Sequence, residues 1–347
     1  MTDRTVVVDA RALQFPVTGV GRYVQQLLAE LPTGMIGAAR PSAPVDPTGL
    51  AVRQLRPDAW NVIWNEICLS PLLRKADAYW STVGYVPWSR PKRCRVVSTI
   101  HDVMHRTTPK SMSLQRRLDM ENSVHASVRR ADVLTTTCAF VSAELKAHYG
   151  RGADLLVPPA PSVESATDAA VEAMRDRLSA LRPGVDRWAL AVGQEITRKN
   201  LVRLADAVSR LPGVGLVVAG PAVDRGVGEA LSARADSTPL VRLGYTSTPD
   251  LAALYGAVDV LAFVSLLEGY GMPLLDARKL GVRIVVSDVA PLPEHAGEHA
   301  VVVDGRSTEA VAAGLKRGLD SARPAPESMP SWIDSARLMA EALGLEI

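Results

Sequence analysis

The chain has 347 residues, 47% of them hydrophobic and 22% charged, the composition of a soluble globular protein long enough for two domains of ordinary size. Its net charge of +2 is too small to point to nucleic acid, and no stretch approaches the ~20 consecutive apolar residues of a membrane span. Three scattered cysteines, Cys68, Cys94 and Cys138, form no C-x-x-C pair, and the opening MTDRTVVVDA lacks the apolar run of a signal peptide, so a cytosolic protein without disulfides or structural zinc is expected.

Thr5 to Val8 reads as a short buried strand and Asp9 to Thr18 as a loop. Val24, Leu27, Leu28 and Leu31 then recur at helical spacing, closed by Pro32 and Gly34, which predicts a helix from Gly19 to Leu31. Gly19 and Gly21 open it, either as a turn for close approach of a ligand or as glycines demanded by unusual backbone angles. Val24 stands where a G-x-G-x-x-G fingerprint needs its third glycine. Residues 39–58 are rich in Pro, Ala and Arg and read as a loop with one short strand near Val52; Trp60 to Leu73 reads as a helix. Ala78 to Ser81 and Arg95 to Ile100 read as strands. The second runs straight into His101 and Asp102, at the strand end where parallel sheets hold ligands. A helix from Ser113 to Arg130, a strand from Asp132 to Thr137, a helix from Ala139 to Tyr149 and a strand from Asp154 to Val157 continue the alternation of a parallel sheet with helices on both faces. Pro158, Pro159 and Pro161 interrupt it, so domains are expected at 1–162 and 163–330. Basic clusters at Arg90 to Arg95 and at Arg116–Arg117 read first as solvated faces, with peripheral contact to an anionic acceptor or membrane surface as the minority reading.

A second series begins at Arg187. Trp188 to Val192 is a predicted strand, Gly193 to Asn200 a turn and Leu201 to Leu211 a helix. Arg198 and Lys199 stand side by side near that helix start, where two cations repel one another and oppose the helix dipole; an anion relieves both. Gly215 to Gly220 and Val241 to Tyr245 read as strands, with Tyr245 placed either to meet a ligand or to pack, and a helix starts at Thr248. The apolar run Asp259 to Val264 leads into SLLEGYGMPLLDARKLG, residues 265–281. There Glu268 precedes a turn of Gly269, Tyr270 and Gly271, and a helix begins near Met272 and Pro273, proline being suited to a first helical turn. The N–H groups of such a turn, with the helix dipole, attract phosphate. Asp276 adds a second carboxylate inside the helix. Strands at Ile284 to Asp288 and Val301 to Asp304, a helix start at Pro291 to Glu294, a helix over 307–319, a proline-rich linker over 322–330 and a closing helix from Ser331 complete the chain.

These segments together resemble the retaining glycosyltransferases of family 4, which have the GT-B fold. Glu268, Gly269, Tyr270, Gly271, Pro273 and Asp276 match the E-G-F/Y-G-x-P-x-x-E signature, with Asp276 in place of the usual glutamate. Thr18 to Tyr23 resembles the TGIGRY opening, Thr99 to Val103 the T-x-H-D-L segment, Val192 to Asn200 the V-G-x-x-x-x-R-K-N turn, and Ser331 to Ala336 the closing S-W-x-x-x-A.

The resemblance implies an α/β protein of GT-B architecture, two Rossmann-like parallel-sheet domains facing across a cleft. Residues 1–162 would be the acceptor side, with the helix over 331–347 packed back on it, and 163–330 the nucleotide-sugar donor side. It implies transfer of a sugar from a nucleotide-diphosphate sugar to a hydroxyl of a glycan, lipid-linked or small-molecule acceptor, with retained anomeric configuration and with neither metal nor other cofactor. Arg198, Lys199 and the N–H groups around Gly271 and Met272 would hold the diphosphate, which Gly19 and Gly21 would face. Glu268 would bind hydroxyls of the donor sugar, Asp276 the ribose, His101 the transferred sugar, and Tyr245 would lie by the base. GDP-mannose is the first donor expected, with UDP- and dTDP-sugars as alternatives. An epimerase or phosphorylase on the same fold, and a nucleotide-sugar binder without transfer, are the competing readings.

Overall fold

A computed structural model describes residues 4–14, 18–41, 49–56, 63–109 and 112–346. The chain forms two units, residues 1–159 with 330–347 and residues 160–329.

Among the described residues the first unit is built on seven parallel strands: β1 (Val6–Asp9), β2 (Ile36–Ala39), β3 (Ala51–Gln54), β4 (Ala78–Ser81), β5 (Arg95–Ile100), β6 (Val133–Thr136) and β7 (Leu155–Leu156), in the order β3-β2-β1-β4-β5-β6-β7. The order reverses between β1 and β4, whose strands pair from Val6↔Ala78 to Val8↔Trp80. β2 lies in the stretch after the first helix where the sequence predicts nothing. Its Ile-Gly-Ala-Ala has no alternation, and it is a strand because it pairs with β1 from Val7↔Ile36 to Asp9↔Ala38. The predicted loop after β1 instead coils at Ala10–Gln14 into a 3-10 turn, which Arg11 pins by donating to both oxygens of Asp9 at 2.9 and 2.5 Å. The helix predicted from Trp60 is described from Ile63 onward. It opens as a wide π turn, Trp64–Leu69, before Ser70–Leu73; its first residues, like 42–48 and 57–58 of the predicted loop, lie outside the described residues.

The last helix, Trp332–Leu343, belongs to this unit. Ser331 and Asp334 close a capping box at its start, Ser335 Oγ donates to the Pro158 carbonyl at 2.6 Å, and the Trp332 ring meets Tyr23 edge-on at 5.8 Å. Tyr23 sits on the helix Gly19–Glu30. The basic run at 90–95 is largely used by the fold: Arg90 pairs with Asp132 at 2.6 Å, Arg93 bonds the Arg74 carbonyl, and Arg95 Nε donates to the Ala342 carbonyl at 2.6 Å.

The second unit has six parallel strands: β8 (Arg187–Val192), β9 (Val214–Ala219), β10 (Leu240–Gly244), β11 (Val260–Phe263), β12 (Arg283–Ser287) and β13 (Val301–Val303), in the order β10-β9-β8-β11-β12-β13. Strands buried on both faces feed two cores. Trp188, Leu190, Leu261 and Phe263 point into one with Tyr255 and Leu274; Ala189, Ala191, Val260 and Ala262 point into the other with Leu204 and Leu315. That is why these strands read as continuous apolar runs. Two helices of this unit, Asp168–Leu181 and Arg225–Ser232, are not foreseen by the sequence reading. The order reverses between β8 and β11, whose pairing Ala189↔Val260 and Leu190↔Leu261 sets the two following loops side by side. In an open parallel sheet that reversal is where a crevice forms beyond the carboxyl strand ends.

Candidate active site

The loop after β8 carries Arg198 and Lys199; the loop after β11 carries Glu268. Topology alone therefore brings them to one crevice. Backbone bonds then fix the register. Leu266 N–H donates to the Arg198 carbonyl at 2.8 Å, and Arg198 Nη1 donates to the Leu267 carbonyl at 3.2 Å. Asn200, the residue that ends the R-K-N turn, stitches the loops from beneath. It takes a left-handed backbone at φ 59° and donates its amide to the carbonyls of Val264 at 3.0 Å and Gly305 at 2.7 Å. A side chain that tolerates the left-handed region while bonding backbone is asparagine's speciality, so the Asn after Arg-Lys was the available clue. Glu195, buried in the same turn, forms a bidentate pair with Arg242 that ties the turn to β10, Arg242 Nε donating at 2.7 Å.

The anion that Arg198 and Lys199 call for is supplied by the chain itself. Glu268 Oε2 lies 2.8 Å from Arg198 Nη1, and its Oε1 lies 2.6 Å from Lys199 Nζ. Burial alone would raise the Glu268 pKa; Lys199, Arg198 and a hydrogen bond from Ser265 outweigh it and hold the carboxyl below its ordinary 4.5. Burial lowers the Lys199 pKa, against the pull of Glu268 and with the repulsion of Arg198. The ammonium also stands over the Phe263 ring at 4.5 Å. Gly193 makes room for it: a Cβ there would come within 2.8 Å of Lys199 Cε. Two cations and one carboxylate leave this trio with one positive charge in excess.

Beyond Glu268, Gly271 turns the chain at φ 95° into the helix Met272–Lys279, which starts with Met272 and Pro273 and has no side-chain cap. Asp276, buried in the second turn, accepts the Ser162 N–H on Oδ1 at 2.6 Å. Tyr270 stacks on His295, ring centroids 3.9 Å apart, and its carbonyl lies 2.7 Å from His295 Nδ1. His295 had no motif to single it out. Tyr245, just past β10, is 66% exposed, which removes the packing alternative for its side chain.

Gly19, Gly21 and His101 belong to the first unit. Both glycines are helical residues of Gly19–Glu30, and the Gly21 N–H is capped by Thr18 Oγ1 at 3.0 Å; the reading that they serve unusual backbone angles does not hold. His101 follows β5 as expected. Its Nε2 lies 3.1 Å from the Thr82 carbonyl and its ring meets Tyr23 edge-on at 5.2 Å. Burial pushes its pKa down to about 4 against the carbonyl's upward pull, so the imidazole is neutral at physiological pH. Also in the first unit, Asp9 and Arg11 form a buried ion pair at the β1–β4 reversal, joined by Asn65 Oδ1 at 3.0 Å, with Arg11 over the Trp64 ring. Both residues lie in the segment Asp9 to Thr18 that the sequence predicts as a loop.

Two Rossmann-like parallel-sheet units, one of them with a cation-rich site at its sheet reversal, have the architecture of the GT-B fold. Residues 186–321, within the second unit, match the model of the family Glycosyl transferases group 1. The chain is 29% identical over 268 residues to O-antigen chain mannosyltransferase B of Escherichia coli, an alignment covering 72% of this chain and 66% of that relative. It is 32% identical over 117 residues to D-inositol 3-phosphate glycosyltransferase of Mycobacterium ulcerans, covering 31% of this chain and 25% of that relative. Thus the alignments span just under two thirds of the first relative and a quarter of the second. Among solved structures, WaaG, a glycosyltransferase involved in lipopolysaccharide biosynthesis, superposes with a TM-score of 0.74 at 17% identity over 97% of this chain and 95% of its own. Anabaena HepE in complex with UDP and glucose gives 0.72 at 14% identity over 98% and 95%.

Proposed function

We propose that this protein moves a sugar from a nucleotide-diphosphate sugar to an acceptor hydroxyl with retained configuration, with GDP-mannose as the first donor and a mannose-containing glycan as the first acceptor to try. The observation that carries this reading is the Arg198–Lys199–Glu268 trio at the β8–β11 reversal, with its excess positive charge beside the helix start at Met272. The barrier to transfer is departure of the diphosphate. Preformed cations aimed at the growing charge lower that barrier because they need no rearrangement as the bond breaks. The anomeric carbon–phosphate oxygen bond breaks, the bond to the acceptor oxygen forms on the same face, and the leaving phosphate oxygen takes the acceptor proton. The cations then belong to the protein, and no metal or other cofactor is required. Glu268 would meet sugar hydroxyls, Asp276 the ribose, Tyr245 the base and His101 the transferred sugar. The choice of mannose is supported by the name of the relative aligned over most of the chain.

The test is to incubate GDP-mannose, UDP-glucose and dTDP-glucose separately with a mannose oligosaccharide in EDTA, and to read the anomeric proton of the product by NMR. An α-linked product from an α-donor, formed in EDTA, is the expected result. An inverted product, or transfer that stops in EDTA and returns with a divalent metal, contradicts the mechanism. Nucleotide binding without transfer would favour the competing binder, for which Asp276 in place of glutamate is the motivating departure.

A further inference from the structure

His295 lies in the short helix Leu292–Ala296 after β12, outside the sequence motifs named above. That helix forms a wall of the glycine turn: a Cβ on Gly271 would come within 2.8 Å of Leu292 Cδ2. The histidine is itself held in place. Arg278 Nη1 donates to its carbonyl at 3.1 Å, and Arg278 is fixed by an ion pair with Glu327 at 2.6 Å. Its ring is buried, stacked on Tyr270, with Nδ1 at 2.7 Å from the Tyr270 carbonyl oxygen. A carbonyl can only accept, so Nδ1 carries the proton.

That one hydrogen bond governs a peptide plane. In a trans peptide the carbonyl and the following N–H point to opposite sides. Holding the Tyr270 oxygen toward His295 aims the Gly271 N–H the opposite way. Gly271, at φ 95°, is free of the side chain that would otherwise choose the orientation. The plane would otherwise be able to turn over, exchanging an N–H for a carbonyl oxygen at the start of Met272–Lys279, where an oxygen repels phosphate.

We propose that His295 is a positioning residue for donor binding: through the Tyr270 carbonyl it locks the Tyr270–Gly271 peptide with its N–H presented to the diphosphate. This rests on the reading of the trio and turn as the diphosphate site. Stacking and hydrogen bonding separate cleanly by substitution. His295→Phe keeps a ring against Tyr270 and loses the donor. His295→Asn loses the ring and places an amide N–H where Nδ1 stood.

The experiment compares matched pairs by calorimetry, GDP with guanosine and UDP with uridine, on wild type and both variants, with thermal melts to confirm folding. Tighter binding of a diphosphate than of its nucleoside by wild type is the prior condition; equal binding overturns both the site reading and the lock. Given that preference, His295→Phe is expected to weaken the diphosphate about tenfold, leave the nucleoside unchanged, and raise the donor KM more than it lowers kcat, with His295→Asn recovering most of the loss. Unchanged diphosphate affinity in His295→Phe, or equal weakening of diphosphate and nucleoside, overturns the lock and leaves the site reading standing.

Discussion

Glu268 neutralises one of two cations and is the hinge of the account at the level of single residues. Removing one partner of a buried pair leaves a charge with nothing opposite it, at a cost of ~3–5 kcal/mol. Glu268→Ala is therefore expected to lose stability in a urea titration by about that amount and to slow transfer by about 100-fold or more in a donor-turnover assay. Undiminished turnover would remove Glu268 from the reaction. The pH dependence has a definite sign. Glu268 has a folded pKa below 4.5, so its contribution is present above that value and is lost as pH falls through the lower folded one. His101 works in a different window. Its pKa falls from 6.5 to about 4, so the unfolded chain binds the extra proton first and stability declines as pH drops from 6.5 toward 4. His101→Gln is expected to flatten that limb of the stability–pH profile by up to ~3 kcal/mol. A limb of unchanged slope would refute the assignment.

At the scale of elements, the site depends on how two loops are stitched. Asn200→Ala removes two amide bonds to backbone carbonyls and puts a Cβ without compensation at φ 59°, and should cost ~2–4 kcal/mol in urea unfolding. Asn200→Gly, which tolerates the backbone angle, should cost less; the reverse order would contradict the role given to its conformation. Gly193 tests the same turn differently. Its alanine variant drives a methyl at Lys199 Cε and is expected to weaken nucleoside diphosphate binding in a titration while the fold persists. Legibility followed the same divide. Strands such as β8 and β11 were readable because both faces are buried and the apolar run is continuous. β2 was not, because Ile-Gly-Ala-Ala acquires its strand character only from β1. The helix Asp168–Leu181 buries only Met174 and Leu178 and follows a proline-rich break, so its pattern was faint. Arg198, Lys199 and Glu268 were each picked out as separate chemistry; that they pair with one another is a fact of the strand order, which no local spacing contains. His295 acts through a backbone carbonyl, and such a partner leaves no trace in sequence.

For the whole molecule, the chain leaves the first unit near residue 159 and returns to it at 330. The closing helix buries Trp332, Met339 and Leu343, and Arg95 reaches its Ala342 carbonyl. Deleting residues 331–347 removes three large buried side chains, worth ~5 kcal/mol or more. That loss should appear as insoluble expression or a sharply lowered melting temperature, and a truncated protein melting like the full chain would show the helix to be dispensable. The central claim, that the β8–β11 reversal of the second unit is a nucleoside diphosphate site built from the protein's own cations, is tested most directly by thermal shift. GDP, UDP, ADP and dTDP should be screened in EDTA against wild type and an Arg198→Ala, Lys199→Ala double variant. One diphosphate is expected to stabilise the wild type, by ~2.7 kcal/mol at 100 times its Kd, and the double variant to lose the response. No response from the wild type to any of the four, or an undiminished response without Arg198 and Lys199, would contradict that claim.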